Sequence, residues 1–233
     1  MSPIDTLLGA IFEHRRPGFY TEFEAWVRGS RRYRAFAETY QTKIRSKLRA
    51  ARDADAVSDL YAELQAAALL LHEPKIALEY ETYAATGKRG PDFSATWKAH
   101  TRFNVEVRRV RSVEWQNLDP EARQAKLTGI LCDKAGQMPA GIVNVLWLAG
   151  DAGVSVDDVA GAAASLRGRA EGKEETFFAR RGFRSAAEFI RHYRHVSAVV
   201  VREGGALAVW PNPLARHVMP GDLSRMIERL AAH

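Results

Sequence analysis

The sequence predicts an α/β protein with a mixed central sheet flanked by helices. Three observations carry this. Residues 102–110 alternate cleanly, with Phe103, Val105 and Val107 on one face and Arg102, Asn104, Glu106 and Arg108 on the other. Gly141–Gly150 is a continuous apolar run of the kind buried on both faces of a sheet. Amphipathic helical stretches lie before, between and after these strands.

The elements follow in order. Residues 5–14 and 19–52 read as helical, broken at Pro17-Gly18. Leu7, Leu8, Ile11 and Phe12 share one face of the first. In the second, Tyr33, Phe36, Ala37, Tyr40, Ile44 and Leu48 continue a 3.6-residue stripe. Val57–Leu71 is a further helix, with Ser58 or Asp55 as its cap, and His72-Glu73-Pro74 stops it. Ile76–Tyr83, Asp92–Trp97 and Arg102–Val110 form a meander, with a turn at Gly87–Pro91. Pro120–Met138 is a helix with Asp119 as N-cap and Pro120 in its first turn. After the buried strand come helices at Val156–Leu166 and Ser185–Arg194, with Gly168–Glu175 expected as a mobile charged loop. Val196–Arg202 and Ala206–Trp210 read as a hairpin around Glu203-Gly204-Gly205. A closing helix, Asp222–Ala232, takes Asp222 as its cap.

Composition narrows the class. The 233 residues have a globular balance of apolar and charged side chains, enough for a sizeable core without staples. One cysteine, Cys132, excludes a disulfide framework and a CxxC zinc site, and fits a reducing cytoplasm. The longest apolar runs, at Ala66–Leu71 and Gly141–Ala149, are about half of the ~20 residues a membrane span needs. No secretory signal is evident. The expectation is a cytoplasmic protein without a membrane partner. The excess of Arg over Lys and the abundance of Ala fit a GC-rich bacterial genome.

Charge is uneven. Residues 1–52 hold 11 of the 34 basic side chains and 5 of the 28 acidic ones, a net of +6, whereas the remainder is neutral. This divides the chain into a basic N-terminal helical segment, 1–55, and an α/β domain, 56–233. The segment points to a polyanion, with Arg31, Arg32, Lys43 and Lys47 as candidate nucleic-acid contacts, or else to a solvated helix face.

Three carboxylates occupy telling places. Glu63 lies on the helix before the first strand, Asp92 opens the second strand after Pro91, and Glu106 sits in the third with Arg108 two residues on. Asp92 and Glu106 meet across the hairpin if the register puts both on one side. Two acids on adjacent strands make a hard-oxygen site suited to Mg²⁺ or Mn²⁺. The bland alternatives are a turn aspartate at Asp92, an Arg-paired Glu106 on a solvated face, and a solvent-exposed Glu63. His192 and His195, at i and i+3, have the spacing of a metal pair but equally that of cations at a helix end. Phe177–Arg194 interleaves aromatics with arginines, as a nucleic-acid grip or an amphipathic helix would. No phosphate loop or nucleophile elbow is present.

The strings Arg89-Gly90-Pro91-Asp92-Phe93 and Phe103-Asn104-Val105-Glu106-Val107-Arg108 resemble the PD-(D/E)XK, or restriction-endonuclease-like, nuclease superfamily. That family pairs a Pro-Asp with a Glu-X-Lys on the next strand and often adds a glutamate on the preceding helix. Its core order, α-β-β-β-α-β, is similar to the order over residues 56–150. The resemblance implies Asp92, Glu106 and the Val107 carbonyl as metal ligands, Glu63 as a direct or water-mediated one, and Arg108 in the place of the lysine. Arginine stays protonated and is a poor proton-transfer partner. Lys75, Lys88, Lys98 and Lys126 are candidates for a relocated lysine, and Gln124 for a further site group.

The implied function is a Mg²⁺- or Mn²⁺-dependent phosphodiesterase acting on nucleic acid, DNA first. The rival is a catalytically inactive nuclease-fold module that binds nucleic acid or protein. A third reading is an interaction module whose basic helix meets an acidic partner or, in a homodimer, a second copy, the Tyr33–Leu48 stripe being long enough for helix–helix pairing.

Overall fold

In a computed structural model, residues 2–83, 90–150 and 153–230 are described. Four short helices come first: α1 (Pro3–Phe12), α2 (Tyr20–Gly29), α3 (Arg31–Thr39) and α4 (Gln41–Ala50). The long α5 (Ala54–His72) leads into β1 (Ile76–Tyr80), β2 (Phe93–Trp97) and β3 (Thr101–Arg109). Then come α6 (Ser112–Gln116), α7 (Pro120–Ala135), β4 (Val143–Ala149), α8 (Val156–Glu171), α9 (Glu175–Ala179) and α10 (Ala186–Tyr193). The hairpin β5 (Ala198–Glu203) and β6 (Ala206–Pro211) precedes α11 (Gly221–Arg229).

The six strands form one mixed sheet in chain order. β1, β2 and β3 are an antiparallel meander; β3, β4 and β5 run parallel; β6 returns antiparallel. Strand alternation builds a core on each face. Phe103, Val105, Val107, Val145 and Trp147 pack under α1–α5 and α11. Leu146, Leu148, Val199 and Val201 pack under α6–α10. The α/β class and the flanked mixed sheet are as the periodicities predict. No helix among the described residues is long and apolar enough to cross a membrane.

Several local expectations are corrected. The 19–52 stretch is three helices. Ser30 is extended (φ −126°, ψ 115°) and its hydroxyl accepts from the Tyr33 N–H, so it starts α3; Tyr40 (ψ 14°) interrupts the turn that follows. Tyr33, Phe36, Ala37, Ile44 and Leu48 are nevertheless all buried, so the stripe is spent inside this chain. Asp53, not Ser58 or Asp55, caps α5 by accepting from the Ala56 N–H. Residues 168–171 are helical, because α8 runs on to Glu171 with Arg167 and Glu171 paired at 2.9 Å. Pro220 precedes α11, and Asp222 pairs with Lys98 at 3.1 Å instead of capping. Of the expected turn, residues 87–89 lie outside the described residues.

A polar thread crosses the sheet on the face that the sequence marks as polar in β3. The Ser94 hydroxyl donates to Asn104 Oδ1 (3.1 Å), Asn104 Nδ2 donates to Asn144 Oδ1 (2.9 Å), and the Asn144 N–H donates to Ser197 Oγ (3.0 Å). Asn104 and Asn144 are fully buried, so each must find its partners inside the protein.

Candidate active site

The β2–β3 register sets Phe93 opposite Val105, which brings the preceding Asp92 to the level of Glu106. Asp92 Oδ2 accepts from the Val107 N–H at 2.8 Å. Within a strand the N–H and C=O of one residue point the same way, so the Val107 carbonyl also faces the Asp92 side. Burial, followed by the charges of Glu63 and Glu106, pushes the Asp92 carboxyl well above its ordinary range, while the Val107 N–H and Lys47 pull it back.

Glu63 approaches from α5. Its Oε2 accepts from Lys47 Nζ and from the Tyr80 hydroxyl, each at 2.5 Å. Burial raises its carboxyl, chiefly against the attraction of Lys47. Lys47 also reaches Glu81 Oε1 at 2.8 Å. Glu81 sits at φ 51°, a left-handed turn at the end of β1 that lets its N–H donate to the Asp92 carbonyl (2.6 Å). Lys43 Nζ donates to the Tyr80 carbonyl at 2.9 Å. Four acids, Glu63, Glu81, Asp92 and Glu106, thus stand close to the ammonium groups of Lys43, Lys47 and Lys134.

Lys134 is the group that the sequence reading missed. Its Nζ donates to Glu106 Oε1 from α7, and both side chains are largely buried. Lys134 is in phase with Leu127, Ile130 and Leu131 on the buried stripe of α7, and that phase is the signal that could have found it. Arg108 is exposed and lines a cavity of about 460 Å³ together with Lys134, Gln137 and Arg181. Neither Arg108 nor Arg109 pairs with Glu106; Arg109 instead holds Asp55 and Asp59, each at 2.7 Å.

The other lysine candidates stand elsewhere. Lys98 pairs with Asp222, Lys126 with Glu114, and Lys75 is exposed. Lys88 lies outside the described residues. Gln124 Nε2 donates to the Gly161 carbonyl (3.1 Å), away from the acids.

No family model, no curated protein and no solved structure matches this chain. The reading of the site rests on its geometry.

The donor set leaves room for a divalent cation. Asp92 Oδ1 and Glu106 Oε2 accept no hydrogen bond from the described residues, and the Val107 carbonyl lies on the Asp92 side. Glu63 is engaged by Lys47 and Tyr80. Among the described residues, no three His, Cys, Asp or Glu side chains form a metal-holding group, and that includes the His192–His195 pair. Two carboxylates and a carbonyl suit a small hard cation that keeps most of its waters.

The four candidate nucleic-acid contacts divide. Arg31 is exposed. Arg32 donates to the carbonyls of Leu71 (2.6 Å), Glu73 and Ile76, tying the end of α5 to β1. Lys43 and Lys47 belong to the carboxylate cluster. More of the N-terminal basic side chains turn inward: Arg15, Arg34 and Arg45 donate to the carbonyls of Leu48, Val27 and Ala10 at helix C-terminal turns. Much of the local positive excess therefore holds the helical layer together.

Proposed function

We propose that the chain is a metal-dependent phosphodiesterase acting on nucleic acid, DNA first, built on a restriction-endonuclease-like core. The observation that carries this is the Glu106–Lys134 pair set beside Asp92. It supplies the lysine that the Asp92/Glu106/Arg108 string lacks. The element order α5-β1-β2-β3-α7-β4, with the small α6 inserted, supports the same reading.

Asp92, Glu106 and the Val107 carbonyl would hold Mg²⁺ or Mn²⁺. Bound there, the cation supplies charge neutralisation of the phosphate and a lowered pKa for a coordinated water. Lys134 offers a second positive charge to the phosphate oxygens and a donor that orients the attacking water. The water oxygen bonds to phosphorus, the bond from phosphorus to the leaving oxygen breaks, and that oxygen takes up a proton. Burial of Glu106 keeps its charge poorly screened, so each cation beside it acts strongly.

The test is cleavage of labelled duplex DNA, single-stranded DNA and RNA under Mg²⁺ and Mn²⁺, with metal binding by calorimetry. Asp92→Ala is expected to lose metal binding and at least about a hundredfold of cleavage. Lys134→Met is expected to keep metal binding and lose a similar factor. Wild-type protein inert on all three substrates with both metals overturns the reading.

Two observations favour the inactive alternative. Arg108 stands in the lysine position of its strand, and Glu63 is already neutralised by Lys47. Nucleic-acid binding without cleavage under any metal selects that reading, and Arg108→Lys then shows whether a strand lysine restores activity.

A further inference from the structure

The end of α10 carries a positive pocket that the carboxylate site does not use. A cavity of about 410 Å³ is lined by Ala187, Ile190, Arg191, Arg194, His195 and Arg216, with no acid among them. Arg194 and Arg216 are exposed and form no salt bridge among the described residues. Arg191 shares Glu188 with Arg184, at 3.3 Å and 2.7 Å.

The pocket is built and held. The segment after β6 is fixed by the buried Asn212, whose Nδ2 donates to the carbonyls of Tyr193 (3.2 Å) and Val196 (2.8 Å). The Arg216 N–H donates to the Arg194 carbonyl at 2.7 Å, which keeps the two arginines side by side. His195 Nδ1 is buried with no hydrogen-bond partner among the described residues. Burial, then the positive surroundings of His192, Arg216 and His217, hold that imidazole below its ordinary pKa, against a pull from the Met138 backbone. Arg194 and Arg216, held on neighbouring segments without an acidic partner among the described residues, are the arrangement an anion relieves.

The pocket also adjoins the candidate active site. The His195 ring lies 5.9 Å from that of His192, and His192 lies 5.9 Å from Phe183. Phe183 lines the cavity that holds Arg108, Lys134 and Arg181. A track of neighbouring side chains therefore runs from Lys134 past Phe183 and His192 to Arg194 and Arg216.

We propose that the Arg194–His195–Arg216 pocket binds a phosphate of a nucleic-acid backbone, whose strand continues along this track to Lys134. The substrate class rests on the proposed function; the location of the contact does not depend on hydrolysis. Nucleic acid is then gripped from the α10 side of the molecule, not by the basic N-terminal helices.

The test is fluorescence anisotropy of a labelled DNA duplex in EDTA, titrated with full-length protein over a salt series. Arg194→Gln/Arg216→Gln is expected to weaken binding about tenfold and to lower the slope of log affinity against log salt by about 2, one counter-ion per lost contact. Arg225→Gln/Arg229→Gln on α11 removes equal charge and is expected to stay within about twofold. Because Arg194 and Arg216 are exposed, the melting temperature is expected to hold, and Arg216→Gln alone is expected to give about half the slope change. Equal losses in both double variants, no loss in the first, or no binding by wild-type protein overturns the proposal. Cleavage assayed with metal on the same samples reads the hydrolytic proposal separately: binding without cleavage leaves the pocket standing.

Discussion

Glu106 and Lys134 are 28 residues apart and meet through the packing of α7 on the sheet. Each lost most of its hydration to get there, so the pair compensates a cost that neither residue can meet alone. Lys134→Met is expected to destabilise the protein by roughly 3 kcal/mol, since it strands a buried carboxylate. Urea unfolding would measure the loss, and saturating Mg²⁺ is expected to recover part of it. An unchanged midpoint would mean that Glu106 rehydrates freely. Glu63, Asp92 and Glu106 were singled out in the sequence by their places on the helix and strands, whereas Glu81 was not, because a left-handed turn at the end of β1 brings it in. The lysine was not, because Glu106 and Lys134 belong to different periodicities. The solvated face that was the alternative reading of Glu106 does not exist, because Asn104 and Glu106 are both buried on the helix-covered face of β3.

At the scale of the element, regular periodicity was readable and its interruptions were not. Residues 19–52 read as one helix, but the Ser30 hydroxyl and the turn at Tyr40 divide that segment into three without breaking the apolar stripe of residues 33–48. The five-residue α6 is too short to show a period, and it is fixed by Trp115, which is buried in the second core. α10 shows how a terminus is set. The Ser185 hydroxyl accepts from the Glu188 N–H, while Glu188 accepts from both the backbone and the guanidinium of Arg184. Those bonds, with the Arg184 side chain foremost, hold the Glu188 carboxyl at about 2, against an ordinary 4.5. A depressed carboxyl stabilises the folded state above its unfolded pKa, and that contribution disappears as pH falls from 4.5 through about 2. Thermal melts across this window are expected to show a steeper loss in wild-type protein than in Glu188→Gln. Identical pH profiles would remove the cap from the account of acid stability.

For the whole molecule, the sheet is a partition with an apolar core on each side, and the asparagine thread is the polar element inside it. Asn144 carries the most bonds: its Nδ2 also donates to the carbonyls of Pro139 (2.8 Å) and His195 (2.9 Å). Asn144→Leu would take from Asn104 one of its partners and leave these carbonyls without their donor. A loss of about 3 kcal/mol or more is expected by urea unfolding. A neutral result would mean that water enters the sheet at that point. The alternating layers themselves were readable from residues 102–110 and 141–150, because a strand buried on one face or on both writes that fact into its side chains.

Residues 219–230 complete the core begun by residues 7–107: Met219, Leu223, Met226, Ile227 and Leu230 lie under the same sheet face as the N-terminal helices. During synthesis, the layer formed by residues 3–50 is therefore sealed only by residues 219–230, which emerge from the ribosome later. Until residue 230 has cleared the exit tunnel, the nascent chain presents an open apolar seam at the side of its finished helices. That seam is where a chaperone has reason to wait.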